Sequence, residues 1–153
     1  YQLLGVFSES VVELMAAAQD ALGLKAGLIA HCDLGDRGGM DEFSAAGLNI
    51  ARGFGSLRDV AERWLPEAMG IRSGSLEELQ GGDVDVNVSI LDKLLEGKGT
   101  PALEDSVIVN AAAAFYVAGR HSCIQDGVAD ARELLLGGAT RAKIDQTKEF
   151  YQQ

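Results

Sequence analysis

The chain has 153 residues, 47% hydrophobic and 24% charged, enough for one domain with a real core. Its net charge of −10 argues against a nucleic-acid partner, because an acidic surface repels phosphate backbones and no Lys/Arg cluster offsets it. No apolar run approaches the roughly 20 residues of a membrane helix, and no basic-then-apolar leader is visible.

Gln2 to Phe7 is a short apolar run that reads as a buried strand. Ser10 with Glu13 fits a capping box, and Val11, Leu14, Met15, Ala18 and Leu22 follow at helical spacing up to a stop at Gly23. Lys25 to His31 is a second buried strand. Strand, helix and strand at this spacing form a βαβ unit with two parallel strands and a right-handed crossover. Asp33 to Gly39 is then a Gly/Asp-rich loop at the carboxyl end of the second strand, where open α/β sheets place their ligands.

Leu48 to Ala51 reads as a short strand and Leu57 to Leu65 as helical, broken by Pro66. Ser75 with Glu78 opens a short helix that stops near Gly81-Gly82. Asp85 or Asn87 caps a helix with Val88, Leu91, Leu94 and Leu95 on one side. Leu103 to Ala118 is apolar nearly all round, the mark of a buried helix, and its alanines let neighbouring backbones approach. Asn110 inside it needs a partner, expected in a neighbouring loop. Ser122 caps a helix with Ile124, Val128, Ala131 and Leu135 as its stripe, and a polar helix covers about Thr140 to Phe150. The expected fold class is α/β: a partial, parallel-rich sheet with a βαβ start, covered by several C-terminal helices, as a fragment of a larger two-domain fold.

Several segments resemble anthranilate phosphoribosyltransferases in the same order. His31, a Gly/Asp-rich loop and Gly39-Met40-Asp41-Glu42-Phe43-Ser44 are similar to the family's His-Gly…Gly-Leu/Met-Asp-Glu-Ser segment. Pro66-Glu67 with Gly70-Ile71, and Gly81-Gly82-Asp83 with Asn87, resemble two further elements. Val109-Asn110-Ala111-Ala112-Ala113-Ala114-Phe115-Tyr116-Val117-Ala118-Gly119 is close to its Leu-Asn-Ala-Ala-Ala-Ala-Leu-Tyr-Val-Ala-Gly helix. Phe43, between the acidic pair and Ser44, is a departure.

The resemblance implies a small helical domain and a larger α/β domain with the active site between them. Residues 1–153 then form the C-terminal portion of the larger domain, with the helical domain and the diphosphate-binding loop outside this sequence. It implies transfer of phosphoribosyl from phosphoribosyl diphosphate to anthranilate in tryptophan biosynthesis, with this chain alone inactive. A pyrimidine-nucleoside phosphorylase relative and a non-catalytic binding member of the fold are the alternatives. A homodimer is the expected assembly.

Asp41 and Glu42 are the candidate metal ligands. Adjacent carboxylates in a loop can face one cation, and Mg2+ prefers one or two carboxylates completed by substrate phosphates and water. Such an ion would also let an acidic protein hold an anionic substrate. The competing reading is a solvated pair in the first turn of a helix, favoured there by the macrodipole. His31 reads as structural, Asp33 and Asp36 as turn residues, and Cys32 and Cys123, at no zinc or CxxC spacing, as reduced thiols of a cytoplasmic protein. A first strand without neighbours on one side leaves an edge that invites pairing, so self-association is expected of the chain on its own.

Overall fold

The structure is a computed structural model and describes residues 1–152. β1 (Gln2–Gly5) leads through a 3-10 turn into α1 (Val12–Ala21), and β2 (Ala26–Asp33) returns beside β1. The two strands are parallel, with Gln2 opposite Gly27 and Gly5 opposite Ala30, so the βαβ opening stands as the sequence predicts. The cap differs: Ser8 Oγ accepts from the Ser10 amide to start the 3-10 turn, and α1 has no side-chain cap. Gly23, at φ 72°, makes the left-handed stop.

Beyond β2 the pairing changes. β3 (Gly39–Met40) and β4 (Leu48–Gly55) run antiparallel to β2, and β5 (Ala61–Trp64) antiparallel to β4. The order is β1-β2-β4-β5, with β3 beside the end of β2. The α/β class and its cover of helices hold, but parallel pairing is confined to β1 and β2. A parallel return needs a crossover, usually a helix. Between β2 and β4 the chain has only a 3-10 turn, β3 and bends, so it comes back antiparallel.

The helix expected over Leu57 to Leu65 is replaced by a turn and β5. Leu57, Val60 and Trp64 pack against the main core while Ala61, Glu62 and Arg63 face outward. Their helix-like spacing arises from a hairpin, and pairing with β4 satisfies the backbone groups that face that strand.

The sheet is packed on both faces. Val12 and Ala16 of α1 meet Val6, Ile29, Ile50 and Phe54 on one side. On the other, Leu28, Ala30 and Ala51 meet the helical layer. β2 is covered on both faces, which explains its almost unbroken apolar run.

The helices are α2 (Val84–Leu95), α3 (Pro101–Val117), α4 (Ile124–Leu136) and α5 (Ala139–Tyr151). Asp83, not Asp85 or Asn87, caps α2 by accepting from the Val86 amide at 2.9 Å. Of the apolar side expected for α2, Leu94 and Leu95 are buried while Val88 and Leu91 stay exposed. The stripe Ile124, Val128, Ala131 and Leu135 of α4 is buried as expected, although Cys123, not Ser122, stands at its N-cap. Gly127 of α4 lies against Ala112 of α3, the close backbone approach that the alanine run permits. No helix among the described residues is long and apolar enough to cross a membrane.

Candidate functional site

Asp41 and Glu42 follow β3 in a bend, not in the first turn of a helix, and both are exposed. Neither enters any of the ion pairs among the described residues. Glu42 keeps an exposed surface, but the chain packed beside it withdraws solvent and, with the Asp41 charge, raises its pKa above the ordinary carboxylate value. The two acids therefore stand close enough to feel one another.

Their seat is built from β1. A Cβ at Gly5 would overlap the Asp41 carbonyl, so the loop crosses directly over the carboxyl end of β1. This is the end of a parallel pair at which α/β folds present ligand groups.

The residues that follow are pinned from below. Asn110 of α3 accepts from the Phe43 amide at 3.1 Å through Oδ1 and donates to the Phe43 carbonyl at 2.6 Å through Nδ2. Asn49 of β4 does the same for Ser44, accepting from its amide at 2.7 Å and donating to its carbonyl at 2.9 Å. Ser106 Oγ accepts from the Ala45 amide at 3.0 Å, and the Gly74 amide donates to the Ala45 carbonyl at 2.8 Å. Ser44 Oγ accepts from the Ala46 amide at 3.1 Å. Phe43, Ser44 and Ala45 are buried, yet each of their backbone donors and acceptors is satisfied, almost wholly by side chains. This bonded stretch directly follows the acidic pair and restrains its C-terminal side.

Two residues before Gly74, Arg72 belongs to a charge cluster. Asp105 of α3, with no exposed surface, accepts from the Arg72 amide at 2.9 Å, Arg72 Nε at 2.7 Å and Arg132 Nη2 at 2.6 Å. Glu104 pairs with Arg132 and, at 3.4 Å, with Arg72. Burial acts to raise the Asp105 pKa, but the bonds from Arg72 and Arg132 outweigh it and hold the carboxyl below its ordinary value.

The other singled-out residues have structural partners. His31 is buried with Nδ1 2.8 Å from the Val6 carbonyl, tying β2 to the segment after β1. Asp33 accepts from the Gly35 amide at 2.8 Å, an ordinary turn bond, and stands apart from Asp41 and Glu42 in role. Asn87 accepts from the Gly82 amide and donates to the Gly82 carbonyl, both at 2.9 Å, so Gly81-Gly82-Asp83 is a helix-entry turn. Cys32 is fully buried beneath the loop, and its pKa is pushed up to about 11, first by burial. Among the described residues no three His, Cys, Asp or Glu side chains group closely enough to hold a metal ion. Two exposed carboxylates without cationic partners do fit a hard cation that takes its remaining oxygens from phosphate and water.

Of this arrangement the sequence singles out Asp41 and Glu42 as candidates, and the loop partner expected of Asn110 is found at Phe43. The sequence misses Asn49, Ser106 and the Asp105 cluster. A signal existed: Asp105, Ser106 and Asn110 are polar residues on a helix whose pattern demands burial, and Asn49 interrupts an apolar strand.

Comparison with known proteins follows the same lines. Residues 1–141 match the model of a glycosyl transferase family, a/b domain. Over 150 residues the chain is 33% identical to an anthranilate phosphoribosyltransferase of Parasynechococcus marenigrum, covering 97% of this chain and 41% of that protein. The crystal structure of the anthranilate phosphoribosyltransferase of Thermus thermophilus superposes with a TM-score of 0.84 at 32% identity, covering 97% of this chain and 42% of that one. A Saccharomyces cerevisiae anthranilate phosphoribosyltransferase, solved in complex with PRPP and Mg, shares the fold with a TM-score of 0.71 at 21% identity, over 87% of this chain and 37% of that one. The chain thus spans about two fifths of the length of the relatives it matches.

Proposed function

Because the chain belongs to this glycosyl transferase family, we propose that it is the C-terminal portion of the large α/β domain of an anthranilate phosphoribosyltransferase. The observation that carries the reading is the end-to-end likeness to proteins of that name, at 32–33% identity over 97% of the chain. The small helical domain and the diphosphate-binding loop lie outside residues 1–153, so these residues alone are inactive. The full protein is a cytoplasmic homodimer, and two free thiols suit a reducing compartment.

In the proposed reaction the anthranilate amine attacks the anomeric carbon of phosphoribosyl diphosphate. The bond to diphosphate breaks and positive charge develops on the ribose. Asp41 and Glu42 hold Mg2+; the fold relative from Saccharomyces cerevisiae, solved with PRPP and Mg, supports that choice of ion. The ion supplies charge neutralisation for the departing diphosphate. The chain's own part is to present both carboxylates together from a loop that needs no rearrangement.

The test is loss of anthranilate fluorescence with phosphoribosyl diphosphate and Mg2+, for the chain alone and for the chain co-expressed with the N-terminal segment of a family member. Activity is expected only in the assembled sample, and Asp41→Asn lowers it by about tenfold or more, as loss of groups supporting a metal does. An assembled but inactive sample, or full activity with Asp41→Asn and Glu42→Gln together, overturns the reading.

A further inference from the structure

Among the described residues the carboxylates of Asp41 and Glu42 have no hydrogen-bond or ion-pair partner, whereas every backbone donor and acceptor of Phe43, Ser44 and Ala45 just after them is bonded. Asn110 makes both bonds to Phe43, the residue next to Glu42, and a third from Nδ2 to the Ser106 carbonyl at 2.8 Å. Its amide orientation follows, since the Phe43 and Ser106 carbonyls can only accept, and so face Nδ2, while the Phe43 amide can only donate, and so faces Oδ1. Ser106, one turn earlier on α3, holds Ala45 by the same logic. One face of α3 therefore holds Phe43 and Ala45, while Asn49 of β4 holds Ser44 between them.

We propose that Asn110 is a positioning residue for the Asp41–Glu42 pair: its bidentate grip on Phe43 fixes the loop so that both carboxylates meet one divalent cation. The inference rests on reading the pair as metal ligands and adds a residue that touches neither metal nor substrate. Without the grip the Phe43 side chain stays in the core and Ser44 stays held by Asn49, but the Phe43 backbone next to Glu42 loses both its bonds, and the freedom it gains must be given up when a cation binds, which weakens binding without removing a ligand.

The probe is Mn2+ alone, followed by paramagnetic broadening of the Asp41 and Glu42 amide resonances of the 153-residue chain. Amide exchange at Phe43 is measured alongside. Asn110→Ala is expected to need on the order of tenfold more Mn2+ for the same broadening, together with faster exchange at Phe43. Leu95→Ala lowers stability at α2, which among the described residues makes no hydrogen bond to residues 41–46, and should leave the Mn2+ response unchanged, which separates positioning from general destabilisation. If Asn110→Ala does not fold, Ser106→Ala serves, with the same shift in smaller measure. An unchanged Mn2+ response in a folded Asn110→Ala, or an equal shift in Leu95→Ala, overturns the proposal. Broadening that survives Asp41→Asn with Glu42→Gln sinks the reading of the pair instead, and exchange at Phe43 then still reports whether Asn110 holds the loop.

Discussion

Replacing Asp105 by Asn tests how the helical layer is held to the loop segment. The carboxylate has no exposed surface and takes its bonds from the Arg72 amide, the Arg72 side chain and Arg132. Asn keeps the shape and one acceptor but turns an amide group toward two guanidinium groups. At least two charge-assisted bonds, each contributing about 1.5–3 kcal/mol, are lost or reversed. The arginines are 55% and 35% exposed on their side chains and recover hydration, so no buried charge is stranded. The net cost is therefore placed at about 2–4 kcal/mol, toward the lower side of what breaking a buried pair costs. For a chain of this size that lowers Tm by roughly 5–15 °C.

The pH dependence follows from the depressed pKa of Asp105. The carboxylate contributes stability above the unfolded value near 3.8, and this contribution fades as pH falls below it toward the lower folded value. Urea unfolding of both proteins at pH 7 should show the full difference, and the gap should close as pH drops below about 4. A difference under about 1 kcal/mol at pH 7, or one unchanged across the acid range, refutes the idea that charge-assisted bonding fixes this segment.

Two other outcomes are expected. Gly5→Ala sets a methyl against the Asp41 carbonyl, where only backbone can yield, and should cost about 1–3 kcal/mol or more, with the amide shifts in NMR concentrated at residues 41–44; shifts spread evenly over the chain would show that the contact is not the cause. Cys32, buried with its pKa pushed up to about 11, should resist alkylation in the native protein while the partly exposed Cys123 reacts; equal rates for both thiols would contradict its burial.

How much of the molecule is legible in the sequence depends on where the information sits. The βαβ opening, the buried α3 and the stripe of α4 are local patterns of apolar spacing, and local pattern survives in the chain. The direction of β4 is not local. Nothing within Leu48–Gly55 states whether it returns parallel or antiparallel; the missing crossover helix does, and that is visible only when the segment before it is seen to lack one. Leu57 to Trp64 reads as a helix because a hairpin turn can place Leu57, Val60 and Trp64 in the core at helical spacing. The acidic pair is legible through the family resemblance, and the competing helical reading falls away because the chain bends there. The cage beneath it, Asn49, Ser106 and Asn110, depends on side chains meeting a distant backbone, which spacing alone does not encode.

β1 carries a consequence for kinetics. It has four residues and, among the described residues, a partner strand on one side only, so it belongs among the segments that open at least cost. Because the Asp41 carbonyl rests on Gly5, every event that lifts this strand also removes the floor of the acidic loop. Anything that lies along the open edge of β1 and slows its fraying thereby lengthens the time for which the loop carrying Asp41 stays seated, without touching the loop itself.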